Sequence, residues 1–212
     1  MTHKLTTEEM GRMTVEEFRE SEKLPLTVVL DNVRSLNNIG SIFRTSDAFR
    51  VEHIALCGIT ATPPHREIHK TALGAEESVA WSYHEDTAEY VRALKAQGYR
   101  IYAVEQVDDS IKLGTQASRL PGLGTQASRL PAAETAAHPE AGVSPAYPGI
   151  AIILGNEIEG VQESLLPLCD GCLEIPQYGT KHSLNVSCAA AIVIWEMFKE
   201  LKIDRKQLAV SS

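Results

Sequence analysis

An α/β fold, with a parallel sheet carrying helices on both faces, is the architecture that this 212-residue sequence predicts. Three observations lead to it. Short apolar runs rich in β-branched residues, such as Leu26–Leu30 and Ala151–Leu154, read as buried strands. Stretches with apolar residues at helical spacing separate them. The length suits one domain of ordinary size, and 43% hydrophobic with 23% charged residues is the composition of a soluble globular protein.

Taken in order, residues 1–23 read as one or two short amphipathic helices. Thr6-Thr7-Glu8-Glu9 and Thr14-Val15-Glu16-Glu17 offer N-caps followed by acidic first turns, and Pro25 ends the region. Leu26–Leu30 is the first strand. Asn38 is expected to cap a helix with Ile39, Ile42, Phe43 and Phe49 at helical spacing. His53–Cys57 is a strand, and Thr60–His65, with Pro63-Pro64, is a loop. A short helix to about Leu73 and a strand near Val79–Trp81 follow. Asp86–Gln97 is a helix with Tyr90, Val91 and Leu94 inward, stopped by Gly98. Strands at Tyr99–Val104, Ala151–Leu154 and Cys172–Ile175 come next, with a short helix near Gln162–Leu168. The last helix is expected from Leu184 to Leu201, burying Ala189, Ile192, Val193, Met197 and Leu201.

One stretch breaks this rhythm. Leu113–Pro121 (LGTQASRLP) recurs identically at Leu123–Pro131, and an Ala-, Pro- and Glu-rich run follows. A single short duplication is not a solenoid, which needs units of about 20–50 residues repeated at least three times. Residues 107–148 are expected to be a largely disordered insertion, too polar and Pro/Ala-rich to build a core. The alternative is an RNA-touching flap using Arg119 and Arg129. The expected organisation is then a helical extension over 1–25, a domain over 26–201 and a tail over 202–212.

Net charge is −8, from 28 acidic and 20 basic residues, the wrong sign for a protein that coats nucleic acid non-specifically. The balance reverses locally. Segment 34–70 holds Arg34, Arg44, Arg50, Arg66 and Lys70 with three histidines, against Asp47, Glu52 and Glu67. No apolar run approaches a membrane span, the N-terminus lacks a signal-peptide core, and four cysteines are few for this length, so a cytoplasmic location is expected.

The segments that carry chemistry are three. Two glycine-containing loops, Gly155–Gly160 and Gln177–Asn185, each follow an apolar run, and glycine lets backbone approach a flat ligand closely. Upstream, Asn37–Thr45 places a polar cluster around Arg44. The pattern Asn38-Ile39-Gly40-Ser41-x-x-Arg44-Thr45, then Gly155-Asn156-Glu157-x-x-Gly160, then Ile175-Pro176-x-x-Gly179-x-x-x-Ser183-Leu184-Asn185-Val186-Ser187 resembles the three motifs of the SpoU/TrmH branch of the SPOUT methyltransferase superfamily. Any one alone would be weak; together, in order, they are specific. The resemblance covers roughly 26–106 and 149–201. It implies a C-terminal trefoil knot, a homodimer, S-adenosyl-L-methionine as cofactor, and methylation of a ribose 2′-hydroxyl in tRNA or rRNA, with tRNA favoured.

That resemblance implies a cofactor-binding set of Leu154, Gly155, Gly160, Ile175, Pro176, Gly179 and Leu184. Such a ligand calls for apolar walls and backbone donors more than charged side chains. The implied catalytic set is Arg44, Asn38, Glu157, Ser183 and Asn185. A ribose hydroxyl is a poor nucleophile, and a guanidinium can stabilise the charge building on its oxygen and grip a flanking phosphate. Four of these have a plainer reading: a surface ion pair of Arg44 with Asp47, helix caps for Asn38 and Ser183, loop solvation for Glu157. Cys169-Asp170-Gly171-Cys172 has CxxC spacing but no second pair, and His65/His69 lack a third ligand, so no metal is expected. Gly155–Gly160 is not the GxGxxG of a dehydrogenase. The functional alternative is a knotted RNA-binding protein without methyl transfer.

Overall fold

The computed structural model describes residues 3, 4, 6, 11–114 and 149–209, with side chains as far as 201. Helix α1, Val15–Glu20, opens on a reciprocal cap in which the Thr14 hydroxyl accepts from the Glu17 N–H and the Glu17 carboxylate accepts from the Thr14 N–H. Its Phe18 is 5% exposed and joins the main core. Most of the other expected cap, Thr6–Glu9, lies outside the described residues.

Seven strands form one parallel sheet: β1 Leu24–Asp31, β2 Val51–Cys57, β3 Trp81–His84, β4 Arg100–Val104, β5 Ile111–Lys112, β6 Ile150–Leu154 and β7 Gly171–Glu174. Their spatial order is β3-β2-β1-β6-β4-β7-β5. Every residue of β1 and β6 is buried, which explains why these strands read as continuous apolar runs rather than alternating ones. Side chains nevertheless alternate between two cores. Val28, Leu30, Ile152 and Leu154 point into one, and Val29, Ala151 and Ile153 into the other.

Helices α2 (Leu36–Ala48), α3 (Arg66–Ala72), α4 (Ala75–Ser78) and α6 (Val186–Ala209) pack on the first face, and α5 (Thr87–Ala96) with a 3-10 turn at Glu163–Leu168 packs on the second. Helix α2 buries Ile39, Ile42 and Phe43 completely. At about 1.5–3 kcal/mol for each such side chain, this stripe fixes the helix firmly to the sheet. Gly40 sits where α2 crosses α3. A Cβ there would lie 2.2 Å from Thr71 Oγ1 and 2.3 Å from the Ile68 carbonyl oxygen, so only glycine permits the crossing.

Several expectations are corrected. Helix α2 is capped by Ser35, whose hydroxyl accepts from the Asn38 N–H, so Asn38 lies in the first turn. The third strand is Trp81–His84 rather than Val79–Trp81. The segment from 107 does not leave the fold at once: β5 pairs with β7, and Leu113 is 6% exposed. Most of the duplicated stretch and its sequel, 115–148, lies outside the described residues. Helix α6 starts at Val186 rather than Leu184 and continues to Ala209, into the stretch read as a tail. It buries Ala190, Val193, Ile194, Met197 and Leu201, while Ile192 is exposed. Among the described residues no helix is long and apolar enough to cross a membrane.

Candidate active site

The carboxyl ends of β4, β6 and β7 and the loops that leave them enclose a cavity of about 470 Å³. This is the position where parallel α/β sheets generally hold ligands, and the size suits a small molecule. Leu154, Leu173 and Ile175 supply apolar wall, with Leu184 at the rim. The loop after β6 forms one side and residues Gln177 and His182–Val186 form another.

The β6 loop is closed by its own backbone. Asn156 N–H donates to the Gly160 carbonyl and Gly160 N–H to the Asn156 carbonyl, both at 2.9 Å. The Asn156 side chain holds the turn from within, its Oδ1 accepting from the Ile158 and Glu159 N–H groups. Gly160 has φ +72°, the left-handed region that favours glycine. Gly155 has a structural reason of its own. A Cβ there would lie 2.1 Å from the Gly160 carbonyl carbon and oxygen, so the glycine lets the loop fold back on itself.

Glu157 joins this loop to α2. Its carboxylate accepts from the Arg34 N–H at 3.0 Å, the Ser35 N–H at 2.9 Å and Asn38 Nδ2 at 3.0 Å. Partial burial would raise its pKa, but these donors, led by the two backbone N–H groups, outweigh it and hold the carboxyl below its ordinary value. A carboxylate at a helix amino end is also favoured by the aligned backbone dipoles. Asn38 turns its other atom to Asn185, whose Nδ2 donates to Asn38 Oδ1 at 3.1 Å. Asn185 Oδ1 in turn caps α6 by accepting from the Ser187 and Cys188 N–H groups. The cap expected of Ser183 is thus made by Asn185.

Three segments remote in the chain therefore meet through Glu157, Asn38 and Asn185. Of the residues expected at the site, Leu154, Gly155, Glu157, Gly160, Ile175, Ser183, Leu184 and Asn185 line the cavity. Asn38 reaches it through its two hydrogen bonds. Pro176 and Gly179 do not line it, and Gly179 has open space around its Cα. Arg44 does not line it either. It lies on the exposed side of α2, six residues or about 9 Å of helix axis beyond Asn38, and makes no ion pair among the described residues. Asp47, the ion-pair partner considered for it, accepts instead from the Ser78 hydroxyl. The sequence reading missed Ser35, Asn156, and Glu105 at the end of β4, whose Oε2 accepts from the Val161 N–H at 3.0 Å.

Residues 25–195 match the SpoU rRNA Methylase family. The chain belongs to that family. It is 30% identical over 188 residues to a tRNA (guanosine(18)-2'-O)-methyltransferase of Thermus thermophilus, covering 89% of this chain and 81% of that protein. Among solved structures it superposes on the A. aeolicus TrmH/SpoU tRNA modifying enzyme with a TM-score of 0.66 at 22% identity, over 89% of this chain and 81% of that one. It also matches the SpoU methyltransferase AviRb from Streptomyces viridochromogenes, solved with AdoMet, with a TM-score of 0.61 at 20% identity. That match covers 86% of this chain and 62% of AviRb. At these identities the structural matches establish the fold, and the three motifs coincide with the segments that the hydrogen bonds draw together.

Elsewhere the sequence candidates resolve into local structure. His65 caps α3 through Nδ1, and His69 pairs with Glu76. The four cysteines are unpaired, and the described residues contain no cluster of three or more metal-ligating side chains.

Proposed function

We propose that the protein transfers the methyl group of S-adenosyl-L-methionine to a ribose 2′-hydroxyl of RNA, with tRNA as the substrate class. One observation carries the reading: the cavity at the ends of β4, β6 and β7 is built from the two family loops, and Glu157 and Asn185 tie it to the helix that bears Arg44. The lining fits the donor by its chemistry. Leu154, Leu173, Ile175 and Leu184 offer apolar surface for a purine, and the closed Gly155–Gly160 turn presents backbone without side-chain obstruction. When bound, S-adenosyl-L-methionine supplies an electrophilic methyl on a sulfonium.

The chain's own residues would do the rest. Glu157 anchors the amino end of α2, and Asn38, held at both its oxygen and its nitrogen, keeps α2 in register with the loop before α6. Arg44 is the residue that would touch substrate. A guanidinium is a fixed, donor-only cation, so its part is electrostatic: it stabilises charge on the attacking 2′-oxygen and fixes the neighbouring phosphate. Ser183, at the exposed rim, would meet the ribose. tRNA is favoured because the Thermus thermophilus relative, matched over 89% of this chain and 81% of its own length, is named for tRNA.

The reading includes a homodimer. In its support, α6 exposes Ile192 and Trp195 at 38% and 46%, and Trp195 stacks with Phe198 beside Phe49. It also includes a C-terminal knot, supported by β6 lying between β1 and β4 and β7 between β4 and β5, strands that precede them in the chain. A cytoplasmic location follows from the proposed substrate. The test is transfer of labelled methyl to bulk tRNA by the wild type and Arg44→Ala. Loss of one such charge-stabilising group should lower transfer about 10²- to 10³-fold while donor affinity stays unchanged. A variant that transfers at the wild-type rate removes Arg44 from the mechanism, and a wild type that binds donor and tRNA but transfers nothing favours a binding protein.

A further inference from the structure

The cavity wall is one-sided in charge. Glu105, Glu157 and Glu159 line it, and no lysine or arginine does among the described residues. Their situations differ. The Glu157 carboxylate is spent on three donors at the amino end of α2, and Glu159 stands at the exposed tip of its loop. Glu105 is half-buried, at the point where β4 ends, with its carboxylate against the turn that closes the pocket. Oε2 accepts from the Val161 N–H at 3.0 Å, and Oε1 accepts from its neighbour's Gln106 N–H at 3.0 Å. A Cβ on Gly160 would lie 2.2 Å from Glu105 Oε2. The carboxylate thus packs directly on the Gly160 backbone and, among the described residues, has no lysine or arginine beside it in the cavity, whose lining also includes His182.

We infer that Glu105 is a specificity-determining residue of the donor pocket, one whose uncompensated negative charge favours the cationic methyl donor over its neutral by-product. The inference rests on the methyl-transfer reading above. S-adenosylmethionine carries a sulfonium that becomes a neutral thioether once the methyl has left, and the two ligands are otherwise alike in shape and hydrogen-bonding groups. An apolar pocket would hold both nearly equally and would be slow to exchange product for donor. A fixed carboxylate in a part-buried wall acts on the difference alone. It contributes to donor binding, and the contribution disappears as the reaction completes.

The experiment is calorimetric titration of the full chain with S-adenosylmethionine and with S-adenosylhomocysteine, for the wild type and Glu105→Gln. Glutamine retains an acceptor for Val161 but loses the charge and one of the two hydrogen bonds, a structural defect that both ligands would feel alike. The expected result is a donor-to-product affinity ratio reduced about three- to tenfold, with the wild-type ratio itself shrinking as salt rises. Product inhibition in the transfer assay should become correspondingly more severe. Equal weakening of both ligands would make Glu105 a brace for the turn and nothing more, and an unchanged ratio with unchanged affinities would remove it from donor recognition. If the wild type binds neither ligand, the methyl-transfer reading itself fails, an outcome distinct from both.

Discussion

Replacing Gly155 by alanine adds one carbon where the loop has no room for it. The new Cβ would sit 2.1 Å from the Gly160 carbonyl carbon and oxygen and 2.2 Å from the Val161 nitrogen. Ordinary contact is about 3.5–4.0 Å, so more than an ångström of opening is required, and backbone rather than a flexible side chain must move. Gly155 does not occupy the left-handed region, so the penalty is steric and not conformational. Opening the turn strains or breaks the two 2.9 Å bonds between Asn156 and Gly160. Overpacking at about 1–3 kcal/mol, plus about 0.5–1.5 kcal/mol for the loss of one of these bonds, gives a cost of about 2–4 kcal/mol. For a domain of this size that corresponds to a fall in Tm of about 4–16 °C. Donor affinity, read by titration calorimetry, should drop at least about tenfold because the deformed turn is a wall of the cavity. Gly179→Ala is the internal control, since a Cβ there meets nothing within 4 Å. If Gly155→Ala matches the control in both Tm and affinity, the turn is not the rigid element described here.

Two further outcomes follow from the charged and thiol groups. Because the Glu157 carboxyl is held below its ordinary value, the ionised form stabilises the fold at neutral pH, and that contribution is lost as pH falls through the folded value. The Tm advantage of the wild type over Glu157→Gln should therefore narrow on acidification below about pH 5, and a gap independent of pH would show that the carboxylate is not held as described. Thiol labelling should rank the cysteines by environment: Cys188 is exposed, burial pushes Cys169 up to about 11, and burial followed by the Asp31 carboxylate pushes Cys57 up to about 12. Mass spectrometry after brief alkylation in mildly alkaline buffer should find Cys188 modified first and Cys57 only after unfolding. Comparable rates at Cys57 and Cys188 would contradict the buried placement of β2.

The parts of the fold that were legible in the sequence are those whose signal is local. β1 and β6 were visible because both of their faces are buried, leaving runs with few polar interruptions. β3 was displaced because Trp81–His84 is an edge strand with no fully buried residue, and the more apolar Val79 beside it drew the assignment. β5 is two residues long and exists only because β7 offers it an edge. On α6 the expected Val193, Met197 and Leu201 are buried but Ile192 is not, because Ala189–Phe198 is apolar almost all round and Ile192 and Ile194 look alike until the sheet picks one. Asn38 was assigned a cap because Asn caps helices. Ser35, three residues earlier, does so equally well, and the Asn38 amide is taken by a carboxylate 119 residues away that no local pattern can announce. The structural reason for Gly155, a Cβ that would meet Gly160, depends on how the loop closes on itself, which no residue pattern spells out.

The same bonds that escaped the sequence reading decide how the site must respond to change. Glu157 lies in the loop after β6, yet three of its bonds go to the amino end of α2, and Asn38 in the first turn of that helix bonds Asn185 ahead of α6. The loop after β6, the helix bearing Arg44 and the loop before α6 therefore do not have independent positions. A perturbation of any one is transmitted through a single carboxylate and two amides, each with its hydrogen-bonding atoms already committed. Removing one member leaves a part-buried partner unsatisfied, which costs more than the bond itself contributes. Effects of Asn38 and Glu157 substitutions on methyl transfer should accordingly fall short of additive, because the first deletion already releases α2 from the loop and leaves the second little to undo.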